Sequence, residues 1–283
     1  MNQLIPPLQN GAQTVFFQAA TEWCFLRTPS DYVTAGPPIP CVIFCHGNSG
    51  YVRDGDYRVS AKDTLDDEGK SIFIRTLIDA GIAVAGSHAK GSAWGTPDSV
   101  FSYIALFHAL FKDANLDSQR IGMLGGGLGA AALWGAVVGP LLGKVQAVAL
   151  QQAALNFESV IREHKFKADL LSAWGLPEDV DDDLAVSTLV HSDPLQRTRK
   201  LIAEKGVSVR ALLPDVGFFH GDQDENLLYN AHPVAMAKVL DSCGSKYLLK
   251  TYKGIGHATY EYGQPVADDI RSFFLGAFEN IEI

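Results

Sequence analysis

Three well-separated stretches of the chain have the forms that acyl transfer uses: a turn of the kind that presents a nucleophile, a base, and an acid to hold that base. The turn is Gly125-Gly126-Gly127-Leu128-Gly129. Its spacing is that of G-x-S-x-G, a nucleophile elbow in which a strand reverses sharply into a helix and exposes the central side chain. The central residue here is Gly127, which supplies no nucleophile. No Ser, Thr or Cys occurs from Ile121 to Gln152, so shifting the motif along the chain does not replace it. The acid candidate is Asp224, in His220-Gly221-Asp222-Gln223-Asp224, ahead of Asp222 and Glu225. The base candidate is His257, in Gly254-Ile255-Gly256-His257, since an imidazole's ordinary pKa suits proton transfer near neutrality.

A fourth stretch, His46-Gly47-Asn48-Ser49-Gly50, follows an apolar strand and has the HGxxG form of an oxyanion loop. The expected donors to a developing oxyanion are the backbone N–H of Leu128 and one from the loop at Asn48. His46 reads as a structural member of that loop. His88 and Trp94, in Ser87–Gly95, are candidates either for lining the pocket or for packing. His108, His164, His191, His220 and His232 show no metal-ligand spacing. Asp181-Asp182-Asp183 and Asp54-Gly55-Asp56 read as solvated acidic surface rather than a cation site, and neither a metal nor a cofactor is expected.

These residues need a frame that brings them together. Short runs apolar on both faces recur at Val42–Cys45, Ile82–Ala85, Ile121–Leu124, Ala147–Leu150, Val216–Phe219 and Tyr247–Leu249, with helical patterns between them. That is the pattern of parallel strands covered by helices above and below. Thr14–Phe17 and Glu22–Leu26 have no helix between them and read as an antiparallel start to the sheet. Thr96 before Pro97 predicts a helix N-terminus, with Val100, Ile104, Phe107 and Phe111 on the face toward the sheet. Phe73, Leu77 and Ala80 form a second stripe, ending at Gly81. Leu128–Val138 is apolar nearly all round, as a helix buried at the centre of a sheet would be. About sixty residues separate the strands at Leu150 and Val216, far more than a crossover needs, and 151–213 reads as a small helical cap within a single domain of 1–283.

Composition narrows the function classes. The 283 residues are 47% hydrophobic and 19% charged, with a net charge of −9. The charge argues against a nucleic-acid partner, and no apolar stretch is long enough for a membrane span. Cys24, Cys41, Cys45 and Cys243 lack the spacing of a zinc or redox motif and read as buried free thiols. The amino terminus has neither a basic start nor an apolar stretch, so the expected location is the cytoplasm.

From about Val42 to the carboxyl end the chain resembles the α/β-hydrolase superfamily, through the oxyanion loop, the elbow, Asp224 and His257 taken in that order. Within it, Trp94-Gly95-Thr96-Pro97 is similar to the W-G-x-P segment of bacterial-type esterases and peptidase-like hydrolases. The resemblance implies a mostly parallel sheet with helices on both faces and a serine hydrolase acting through an acyl-enzyme. Its three catalytic positions fall on 127, 257 and 224, and the departure is Gly127. The expected function is a carboxylic ester hydrolase acting on a small ester-like molecule, with its nucleophile removed by substitution or by natural loss. Two alternatives are a non-catalytic binding protein and a proton-transfer enzyme that uses His257 and Asp224 alone.

Overall fold

The computed structural model describes residues 4–48, 50–52 and 64–279. Eight strands form one sheet: β1 (Gln13–Ala19), β2 (Glu22–Thr28), β3 (Ile39–Cys45), β4 (Ala83–Ser87), β5 (Leu116–Gly126), β6 (Ala147–Gln151), β7 (Asp215–Gly221) and β8 (Tyr247–Tyr252). Their spatial order is β1-β2-β4-β3-β5-β6-β7-β8. β1 pairs antiparallel with β2, and β2 with β4, while every pairing from β4 to β8 is parallel. The antiparallel start and the six apolar strands read from sequence are all present.

Nine α-helices accompany the sheet: α1 (Glu68–Ile78), α2 (Pro97–Asp113), α3 (Gly129–Val137), α4 (Phe157–Arg162), α5 (Lys167–Ala173), α6 (Asp182–Leu189), α7 (Pro194–Lys205), α8 (Pro233–Asp241) and α9 (Gln264–Glu279), counted among the described residues. Strand side chains alternate between two cores. Cys41, Ile43 and Cys45 point to the side that holds α2, α3, α7 and α8, and Val42 and Phe44 to the side that holds α1 and α9. Both faces are buried, which is why these strands read as continuous apolar runs. The four cysteines are free and buried.

The helix α2 begins after Thr96 with Pro97 at its first position, as the sequence indicates, and Val100, Ile104, Phe107 and Phe111 pack on the core as expected, but the most deeply buried residues are centred to one side of that stripe. Tyr103, Leu106, Phe107 and Leu110 face the core, whereas Val100, Ile104 and Phe111 are only half-buried. Small polar residues make this rotation possible: Ser99 and Ser102 are buried because their hydroxyls donate to Thr96 and Asp98 carbonyls, each at 2.8 Å. Counting apolar residues alone misses such a shift.

The stretch 151–213 divides in two. Helices α4, α5 and α6 build a cluster of their own, with Phe157, Ile161, Leu170, Leu171 and Leu189 packed against Trp94 and Leu128. The helix α7 belongs instead to the main layer, where it buries Leu195 and Leu201 and where Trp134 Nε1 donates to Thr198 Oγ1 at 2.7 Å. Asp193 joins the two parts by accepting from the backbone N–H of Phe157, at the start of α4, and of Gln196, at the start of α7.

Candidate active site

Two glycines shape the turn between β5 and α3. A Cβ on Gly129 would lie 2.2 Å from the carbonyl oxygen of His46, and one on Gly125 would lie 2.9 Å from Ala130 Cα. The elbow therefore packs backbone against backbone with the loop that follows β3. Gly127 between them has φ +52°, the left-handed region that disfavours ordinary side chains. Hydrogen bonds pin it there: its N–H donates to the Gln151 carbonyl at 3.1 Å, and its carbonyl accepts from Ala154 at 3.0 Å and Ala130 at 3.3 Å. A Cβ at 127 would meet no heavy atom within 4 Å. The turn keeps its form without a side chain at its tip, and there is room for one.

Asp224 and His257 come from loops after β7 and β8, which are parallel neighbours, so both loops lie at the same end of the sheet. His257 Nδ1 is 2.9 Å from Asp224 Oδ2 and 3.1 Å from Oδ1. A carboxylate only accepts, so Nδ1 carries the proton and, in the neutral ring, Nε2 keeps a lone pair. Asp224 is held from other directions as well: Asn226 and Leu227 donate their backbone N–H groups to Oδ1, each at 2.9 Å. His220 Nε2 lies 3.0 Å from Oδ2 and 2.8 Å from the Leu227 carbonyl. Burial alone would push the Asp224 carboxyl up, but the donors from His220 and His257 outweigh it and hold the group well below the ordinary 3.8. Asp224 stays ionised where it can orient His257.

Gly127, His257 and Asn48 line one cavity of about 430 Å³. Phe44, Phe73 and Phe166 give it apolar walls. Gln151, Gln152, Asp67 and Lys70 add polar ones, the last two as an ion pair at 3.1 Å. Phe166 comes from the α4–α6 insertion and has φ +58°, and its ring lies 5.8 Å from that of His257.

The other expected site residues are placed as follows. Leu128 immediately precedes α3, and its buried side chain packs in the insertion's cluster. Trp94 packs in the same cluster, and its carbonyl accepts from Trp174 Nε1 at 3.2 Å. Neither Trp94 nor His88 is among the residues lining the cavity. The His88 ring instead stacks with Tyr51 and His46, and its carbonyl lies 2.9 Å from His46 Nε2. His46 is buried within this loop packing, which agrees with a structural part. Ser49 and Asp54-Gly55-Asp56 lie outside the described residues.

The acidic run at 181–183 is accounted for residue by residue. Asp181 caps α6, Asp182 pairs with Lys167 at 2.6 Å, and Asp183 pairs with Arg162 at 2.9 Å. Among the described residues no group of three or more His, Cys, Asp or Glu could hold a metal ion. No helix among them is long and apolar enough to cross a membrane.

No family model matches the sequence, and no curated protein matches it. Solved structures do match. The chain is similar to a Mycobacterium tuberculosis puromycin-hydrolyzing peptidase with a TM-score of 0.71 at 15% identity, over 94% of this chain and 39% of that one. It is similar to Est1E from Butyrivibrio proteoclasticus with a TM-score of 0.64 at 16% identity, over 96% of this chain and 100% of that one. The chain has the α/β-hydrolase fold. A third match in this fold, a Pyrococcus horikoshii acylaminoacyl peptidase, has a TM-score of 0.65 at 10% identity, over 98% of this chain and 41% of that one. The chain thus spans about two-fifths of the peptidases it matches and the whole length of Est1E.

Within this α/β-hydrolase framework, His220, Gln152 and Phe166 are neighbours of the site that sequence reasoning passed over. A signal existed for two of them. Gln151-Gln152 interrupts an apolar run at the carboxyl end of a strand, and His220 sits four residues before Asp224. Gln152 is buried with φ +45°, and its Nε2 has no hydrogen-bond partner among the described residues. Nothing in the spacing around Phe166 marks it.

Proposed function

We propose that this chain is a carboxylic ester hydrolase framework in which Gly127 stands at the nucleophile position, with Asp224 and His257 as the acid and base. The carrying observation is that an oriented imidazole and an unfilled elbow tip line the same cavity. In this reading the backbone N–H of Leu128 and one at Asn48 stabilise the oxyanion, and the helices α4–α6 form the cap, with Phe166 covering the imidazole. The cavity's volume lies within the range of small-molecule sites, about 300–1,000 Å³. Its three phenylalanine walls suit a small ester with an apolar portion. A cytoplasmic setting fits the four unpaired buried thiols.

The test is to restore the missing group. Gly127→Ser is expected to hydrolyse short p-nitrophenyl esters and to be labelled at position 127 by a fluorophosphonate. Mass spectrometry of the labelled chain locates the adduct. A folded Gly127→Ser chain that neither turns over esters nor takes the label contradicts the assignment.

A further inference from the structure

We infer that the chain with Gly127 in place hydrolyses activated esters by direct attack of water, with His257 as general base and no acyl-enzyme intermediate. The inference rests on the site reading above and concerns a route that does not need the absent serine.

Three observations carry it. First, the space that a side chain at 127 would fill opens into the cavity and is unobstructed to 4 Å around the Cβ position. A water needs room of about one probe sphere, about 10–15 Å³, and polar partners, and here His257 shares the cavity with backbone and carboxamide groups. Second, Asp224 engages His257 through Nδ1, so the basic Nε2 is the nitrogen left for the cavity. Third, the elbow is pinned by its own backbone hydrogen bonds and by the close approach of Gly129 to the loop after β3. The groups that would stabilise an oxyanion are backbone amides of this frame, which do not depend on the residue at 127.

The step balances without any further reactant. His257 Nε2 takes one proton from water as the water oxygen forms a bond to the ester carbonyl carbon, giving a tetrahedral oxyanion. The oxyanion collapses, the bond from carbon to the alcohol oxygen breaks, and the departing oxygen takes the proton back from His257. The products are a carboxylic acid and an alcohol. Proton transfer by a positioned base contributes about 10²–10⁴-fold, and that is the whole of what His257 is asked to supply.

The experiment compares the chain as it stands with His257→Gln, Asp224→Asn and Gly127→Ser, each purified alike, on p-nitrophenyl acetate. The inference expects linear release of p-nitrophenol by the unaltered chain with no initial burst, and about a 100-fold fall in His257→Gln. Asp224→Asn is expected to lower kcat with little change in KM, because it alters only how the imidazole is held. Gly127→Ser should show a burst approaching one equivalent per chain. If Gly127→Ser is active while the unaltered chain is no faster than His257→Gln, the water route is overturned and the site reading stands. If a folded Gly127→Ser is also silent, both fall. A covalent acetyl adduct on the unaltered chain, formed at a rate matching turnover and seen by mass spectrometry after acid quench, overturns the water route as well.

Discussion

His220 Nε2 lies 3.0 Å from Asp224 Oδ2, and the two side chains are exposed by only 1% and 0%. The contact replaces solvent for a carboxylate that has none, whereas His257 on the other side is 28% exposed. Leaving a buried polar group short of a partner costs about 1–3 kcal/mol, and more for a charged one. His220→Leu is therefore expected to destabilise the fold by about 2 kcal/mol or more at neutral pH. His257→Ala should cost much less, because water can take its place at Asp224. Urea unfolding of the two variants checks the order, and equal losses would contradict it.

Acid should weaken the protein in two separate windows. Burial away from water lowers the His232 pKa from 6.5 to about 3 in the fold, so the unfolded chain gains a proton there before the native one does. Stability tied to His232 is whole above pH 6.5 and falls away as the pH drops toward 3. Asp224 is also depressed, from 3.8, so its contribution is whole above that value and is lost only in stronger acid. His232 Nδ1 accepts from the N–H groups of Leu155 and Asn156 at 3.0 and 3.2 Å. His232→Asn keeps an acceptor there and is expected to flatten the upper window while leaving the lower one. Melting temperature measured from pH 8 down into strong acid, well below pH 3, reads both.

Position 127 tolerates a side chain and position 129 does not. Gly127→Ser places a Cβ in open space at a left-handed backbone, and αL for a non-glycine residue costs about 1–2 kcal/mol. A modest fall in melting temperature with an unchanged circular dichroism spectrum is the expected result. Gly129→Ser would drive its Cβ to 2.2 Å from the His46 carbonyl and 2.4 Å from that of Cys45. That variant should lose native structure or express as aggregate.

Asp193 caps α7 by accepting from the N–H of Gln196 at 2.9 Å, and the same carboxylate accepts from the N–H of Phe157 at the start of α4, whose own cap is Asn156. Asp193→Ala removes the cap of α7 and the acceptor of the Phe157 N–H from a buried position. A single cap is worth about 0.5–2 kcal/mol, so the loss here is expected near 2 kcal/mol or above. Hydrogen exchange should show it locally, with faster exchange in α4 and α7 than in α9.

Much of this was legible in the chain. The strands were visible because burial on both faces writes uninterrupted Val, Ile, Leu and Ala runs, and the elbow because its glycines have a steric purpose. Asp224 and His257 stood out through their glycine-rich turns and their order. The centre of the buried face of α2 did not, since Ser99 and Ser102 satisfy their hydroxyls within the helix and read as surface. Trp94 looked like a pocket residue because an aromatic before the elbow fits either part, and only its packing with Phe157 and Leu128 places it in the insertion's cluster. Phe166 reaches His257 through a loop whose His164 and Phe166 both have positive φ, a path that no periodicity encodes.

Because the bend at residues 125–129 is set by its flanking glycines, the residue at its apex is exchangeable. On the proposed assignment, a thiol, a hydroxyl or a selenol installed at that point would share the cavity with the imidazole without redesign of the surrounding chain. The molecule is in that respect a mounting for reactive groups, and different chemistries could be compared on it one atom at a time.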